Sequence, residues 1–264
     1  MFCDQCGAKA ETTAKFCQAC GSPLPADSHR KIQPVFTGHG SDIFSVKGLR
    51  MLLWYASIVG IPVGWTYTVR WVLENIELSG GPKLSFRGRA AEAYVYFLLT
   101  AVFSVLNRQD PTTWDVLRGL EPPLLGLIVL AMWICLLATQ GLVYWNLYRW
   151  VCTNVSLSSG STLMFHGGVW RYIGWTILQV LSIFTVVGWA WVQTAFLRWQ
   201  LGQTRTSGTQ LQFRGSGFGV LWRTVGATAA CILIVPIPWV VTYMIGWYLA
   251  NIELSAVDMA RVTA

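Results

Sequence analysis

Four cysteines near the start of the chain have the type and spacing for metal chemistry. Cys3 and Cys6 form one C-x-x-C, and Cys17 and Cys20 form a second after ten intervening residues. Phe2 and Phe16 precede the pairs, and Gly7 and Gly21 follow them. Two thiolates two residues apart can both reach one tetrahedral Zn²⁺, and the glycine lets the backbone turn its amides toward the sulfurs. Four thiolate ligands close the shell and leave no place for a reactive water, so such a site is structural rather than catalytic. A segment of about twenty residues cannot build a core, so the metal would supply most of its folding free energy. Disulfides or unligated thiols are the alternative. The opening Met1-Phe2-Cys3-Asp4 has no basic stretch and apolar run of a secretory signal, which favours a reducing compartment and a cytoplasmic N-terminus. A redox C-x-x-C would need only one pair beside a βαβ pattern, which is missing here.

Residues 2–21 resemble the short zinc-ribbon modules at the N-termini of many bacterial membrane proteins. The resemblance implies a small rigid knob for protein contacts. Residues 1–21 are read as this ribbon, 22–45 as a tether, 46–257 as a membrane body and 258–264 as a tail. The tether contains Pro23, Pro25, Pro34, Gly38 and Gly40 among polar residues, a composition that reaches about 25–30 Å as flexible coil. His29 and His39 lie in it, and four cysteines leave them no ligand place.

The elements that must carry this module come from an apolar body. The chain has 264 residues, is 54% hydrophobic and 12% charged, and has a mean hydropathy of +0.48. Soluble domains carry about 25% charged residues, so a membrane protein is expected. Fifteen tryptophans fit rings at membrane interfaces. The net charge of +7 gathers beside the apolar runs, at Lys47, Arg50, Arg70, Lys83, Arg87, Arg149, Arg171, Arg198 and Arg214 among others. That is the positive-inside pattern, not a basic face on a soluble domain, so nucleic acid is not expected.

One phrase is written twice. Ile58–Ser79 and Ile234–Ser255 share thirteen of 22 positions, including Pro62/Pro238, Tyr67/Tyr243, Trp71/Trp247 and the closing Asn-Ile-Glu-Leu-Ser. Trp71, Trp150, Trp199 and Trp247 mark one place in four degenerate units. After the first three markers comes a shared phrase with a Ser/Gly-rich middle, read as a β-hairpin whose arms in unit one are Ile76-Glu77-Leu78 and Leu84-Ser85-Phe86. Each unit then reads helix, break, helix, hairpin. The breaks fall at Gly60-Ile61-Pro62, Gly188 and Pro236-Ile237-Pro238. The fold class expected is mainly α, a polytopic helical membrane body preceded by the ribbon.

About 32 residues lie between successive hairpins in the shorter units, too few for two full crossings of about 40. In the longer second unit Ala91–Leu106 and Leu124–Trp145 have room to cross, joined by Asn107–Glu121. That loop sets Arg108 and Arg118 against Asp110, Asp115 and Glu121, and its acidic balance places it outside. All hairpins then lie on the cytoplasmic side. The alternative is one tilted crossing per unit, with hairpins on alternating sides.

The combination of broken apolar helices with Arg70-Trp71, Arg149-Trp150 and Arg198-Trp199, each followed by an N-x-x-x-x-x-G-x-x-L-x-F-x-G phrase, is similar to YjgN-type bacterial inner-membrane proteins. The similarity covers residues 47–255. Gln203 stands where that pattern has Asn, and the third phrase is one residue shorter. It implies a multi-pass inner-membrane location and brings no activity.

No nucleophile–base set, paired carboxylates or phosphate-cradling loop occurs in the body, so an enzyme is not expected. His166 replaces Arg87 and Arg214 in the phrase and reads as a variable surface position. Cys135, Cys152 and Cys231 read as small apolar fillers. Glu77 and Glu253 are expected to pair with arginines. A membrane platform presenting the ribbon is the expected function, and a transporter or channel using the broken helices is the alternative. The apolar runs offer few polar groups for a pathway beyond Gln140, Gln179 and Gln193. Membrane lipid and a protein reached through the ribbon are the expected partners, Zn²⁺ the cofactor, and a homo-oligomer is left open.

Overall fold

In a computed structural model, the structure describes residues 6, 18–22, 33–78, 83–106, 121–158, 160–206, 208–233 and 235–256. Eight α-helices occur among them: α1 Val46–Tyr55, α2 Ile61–Glu74, α3 Ala90–Leu106, α4 Pro122–Asn154, α5 Val169–Ile183, α6 Trp189–Gly202, α7 Gly217–Cys231 and α8 Ile237–Ala250. The short strands are β1 Pro34–Phe36, β2 Ile76–Leu78, β3 Leu84–Phe86, β4 Val155–Leu157, β5 Met164–Phe165, β6 Thr204–Arg205, β7 Thr209–Phe213 and β8 Ile252–Ala256. Asn107–Leu120 and the tail 258–264 lie outside the described residues.

The helix–break–helix reading holds. A 3₁₀ turn, Ile58–Gly60, separates α1 from α2, and Pro62 and Pro238 sit in the first turns of α2 and α8, where a missing N–H costs nothing. Residues 184–188 turn between α5 and α6, with Val186 at φ 60. Ser45 and Ser216 open α1 and α7 by accepting the amides of Gly48 and Gly219 at 3.2 and 3.1 Å.

The pairing of the strands differs from expectation. The two arms of each phrase were expected to close on each other. Instead β1 pairs with β2, β3 with β4, β5 with β6 and β7 with β8, all antiparallel. The first arm of each phrase thus ends one unit, and the second arm begins the next. The helices dictate this. Two antiparallel helices bring the strand before the first beside the strand after the second, and both edges are satisfied there. In the third phrase the arms also pair locally, at Arg205↔Gln210, with Gly208 at φ 129, and in the second they meet through a single bridge, Ser156↔Thr162. The link in the third phrase joins β5-β6-β7-β8 into one sheet.

This pairing also corrects the tether. Pro34–Phe36, within 22–45, is the opening strand of unit one, and Gly40–Phe44 forms a 3₁₀ turn against α8. The repeated body therefore begins by Pro34 rather than at 46. Phe36-Thr37-Gly38 is in fact a fourth copy of Phe86-Arg87-Gly88, Phe165-His166-Gly167 and Phe213-Arg214-Gly215.

Each closing helix packs on the opening strand of the next unit: α2 on β3, α4 on β5, α6 on β7, and α8 on β1. The last contact returns to the first unit, so four βααβ units form a closed ring. Trp239 lies on Gly40 at this closure, where an added Cβ would come within 2.8 Å of its ring. Between α4 and α5, Gly141 lets the helices approach until Ile173 Cα is 3.1 Å from where its Cβ would be. One core cluster is aromatic, with Phe165, Tyr172 and Phe196 buried beside Cys152 and flanked by Trp145, Tyr148, Trp175 and Trp199.

One helix among the described residues, Pro123–Asn154, is long and apolar enough to cross a membrane, with mean hydropathy 2.1. Ala90–Val102 and Ile237–Ala250 are apolar but shorter.

Candidate functional site

The metal site expected at Cys3, Cys6, Cys17 and Cys20 is described in part. Cys6 and Cys20 are exposed, and Cys3 and Cys17 lie outside the described residues. Residues 18–20 form a turn, and Gly21 follows Cys20 at φ 70 with open space around it. That left-handed glycine is the backbone needed to swing amides toward a thiolate. Cys20 Sγ is 2.9 Å from Ser22 Oγ. All-thiolate donors, an exposed setting and a glycine knuckle fit a tetrahedral zinc, which these four cysteines would hold with no open coordination place.

The other shared feature lies at the strand end of the ring. In every unit a Phe of the opening strand meets the marker Trp of the closing helix edge to face: Phe36–Trp71, Phe86–Trp150, Phe165–Trp199 and Phe213–Trp247, at 5.6, 5.7, 6.0 and 6.4 Å. Such pairs each add about 0.5–1.5 kcal/mol to the burial of the rings. The glycine two residues on is forced by this packing. A Cβ on Gly38 would sit 2.6 Å from the Phe36 ring. The amide between them donates to the carbonyl ending the closing helix, as Thr37 N→Asn75 O, Arg87 N→Asn154 O, His166 N→Gln203 O and Arg214 N→Asn251 O at 2.8–2.9 Å. His166 is exposed and contributes its backbone.

The asparagines of the phrase close the helices. Asn75, Asn154 and Asn251 each donate Nδ2 to the carbonyl of the marker Trp, at 2.8, 2.9 and 2.7 Å. At Gln203 the longer side chain makes no such bond, and Gln210 Nε2 donates instead to the carbonyl of Gly202. The arginines before the marker tie neighbouring units together. Arg70 and Arg198 donate to the carbonyls of Gly88 and Gly215, at 3.4 and 2.8 Å. In unit two Trp145 Nε1 takes this role on Gly167, with Arg149 stacked 5.4 Å above the Trp145 ring.

Of the two glutamates expected to pair, Glu253 does so, 2.8 Å from Arg214 Nε. Glu77 lies opposite Val35, and Thr37 stands where the last unit has Arg214, so that position supplies no guanidinium. Gln179 donates to Gln193 at 2.6 Å and Gln140 to the hydroxyl of Tyr144 at 3.0 Å. Cys152 is buried as expected, whereas Cys231 is half-buried and Cys135 exposed. His39 takes a structural part: its amide donates to Asp42 Oδ2 at 2.8 Å. His29 lies outside the described residues. No group of three or more metal-ligating side chains occurs among the described residues. Sequence reasoning treated Lys47, Arg50 and Arg70 as flanks; in the fold they surround one cavity.

Residues 2–24 match the zinc-ribbon domain family. No curated protein and no solved structure matches the chain. The N-terminus therefore carries a zinc-ribbon domain, and that domain implies zinc binding at its cysteines.

Proposed function

We propose that the chain is an integral membrane platform whose strand end lies at the cytoplasmic face and holds the zinc ribbon there as an interaction module. The observation that carries this reading is the division of charge along every helical pair. The stretches 51–69, 172–197 and 224–252, which run out to the far ends of three pairs and back, contain no Asp, Glu, Lys or Arg. Lys47, Arg50, Arg70, Arg87, Arg149, Arg171, Arg198, Arg205, Arg214 and Arg223 all lie in strands, beside them, or within about two turns of the strand-side ends of the helices. At the far ends Leu53, Val59, Phe184, Val186, Leu233 and Val235 are 72–83% exposed. Water does not favour such a surface, and lipid does.

Helices of fourteen or fifteen residues, such as α5 and α6, extend only about 21–23 Å, short of a hydrocarbon core of about 30 Å. Units one, three and four therefore enter the bilayer and return. The 33-residue α4 reaches about 50 Å and crosses. The similarity to YjgN-type inner-membrane proteins agrees with this placement, and the zinc ribbon agrees with a protein partner on the cytoplasmic side. A transporter is the alternative, and it would need the short pairs to cross fully.

Single cysteines at Ser158 and Gln212, in a chain with no other cysteine, test the reading with a membrane-impermeant thiol reagent. Both label from the cytoplasmic side, and a cysteine at Val187 stays protected. Labelling of Ser158 and Gln212 from opposite sides would overturn the platform and favour the transporter, to be followed by solute flux in liposomes.

A further inference from the structure

We infer that the cavity at the strand end of unit one binds the phosphate head group of an anionic membrane lipid; the inference rests on the membrane placement proposed above. The cavity measures about 610 Å³ and lies between the Gly40–Phe44 turn, α1 and the closing end of α2. Lys47 and Arg50 reach it from α1, three residues apart on one face, and Arg70 reaches it from α2. Two carboxylates also line it, Asp42 and Glu74. Asp42 is committed to the amide of His39 at 2.8 Å, and Glu74 is exposed. Three cations therefore stand against two carboxylates, a positive balance, with Arg70 also donating to the Gly88 carbonyl at 3.4 Å.

The remaining wall suits the rest of a lipid. Met51 and Trp71 line the cavity with Tyr67, which is 43% exposed. Aromatic rings beside cations at the head-group level favour a phosphodiester with its glycerol attached over a small free anion. The opposite face of α1 carries Leu49, Leu52 and Leu53, all exposed, so the mouth stands beside lipid-facing surface. The other units do not reproduce the cavity's components. Among the described residues, only unit one has a 3₁₀ turn, Gly40–Phe44, between opening strand and helix. In unit four the place of Arg70 is taken by Gly246.

The test uses the full chain in detergent, with bound lipid counted by native mass spectrometry against phosphatidylglycerol or phosphatidylcholine. The expected result is retention of phosphatidylglycerol about tenfold tighter than phosphatidylcholine, lost in the double variant Lys47→Gln/Arg50→Gln and kept in Arg171→Gln. Lys47 and Arg50 are exposed, so their loss leaves the fold intact. Millimolar inorganic phosphate leaves the bound lipid in place. Equal retention by the native chain and the double variant overturns the inference, and displacement by inorganic phosphate assigns the cavity to a free anion instead. Sedimentation with the membrane fraction separates the two levels. A chain absent from that fraction defeats the placement itself, whereas one present without lipid preference defeats only the cavity.

Discussion

At the residue scale, three repeated contacts explain most of the recurring letters. The Phe of each opening strand needs the marker Trp as its partner, and the glycine two residues on needs to stay bare beneath the Phe ring. The asparagine that ends the helix caps it through its own side chain, and Gln203 shows the cost of departing from that choice. Gln203 has nearly the backbone of its counterparts, φ −92 and ψ −3 against φ −98 and ψ 6 at Asn251. Gln203→Asn is therefore expected to gain the bond to the Trp199 carbonyl and stabilise the body by about 1 kcal/mol, and Asn154→Ala to destabilise it by a similar amount. Denaturant titration in detergent measures both. A Gln203→Asn chain no more stable than the native one would show that the side-chain cap contributes nothing here.

At the element scale, the decisive feature is that strands pair across a helical pair. Ser85 Oγ lies 2.8 Å from Ser156 Oγ, although 71 residues separate them. Ser85→Cys with Ser156→Cys is expected to form a disulfide on mild oxidation, giving a mobility shift that reductant reverses. Glu77→Cys with Ser85→Cys, the pair a local hairpin would bring together, stays reduced. The reverse outcome would restore the hairpin. The cross pairing follows from the return of each second helix and from rings that bury only when the opening strand lies against it.

At the scale of the whole molecule, a zinc-dependent module and a ring-shaped body are joined by a short stretch ending before Pro34. The ribbon's folding free energy comes from metal, and the body's comes from packed helices and rings. Cys6→Ser is therefore expected to release the zinc, about one ion per chain, while the thermal unfolding of the body stays unchanged. Metal analysis with thermal scanning measures both, and a body that melts earlier without zinc would mean the module is packed into the ring. The residues themselves determined the zinc ribbon, the four units, the breaks, and even the places of β2 and β3, because cysteine spacing and periodicity are written along the chain. Tertiary structure alone decided which strand pairs with which, that Pro34–Phe44 belongs to the body and closes the ring on Trp239, and that Lys47, Arg50 and Arg70 share a cavity. Those outcomes depend on distances between residues far apart in sequence. Only the return of each helix to its starting end brings them together.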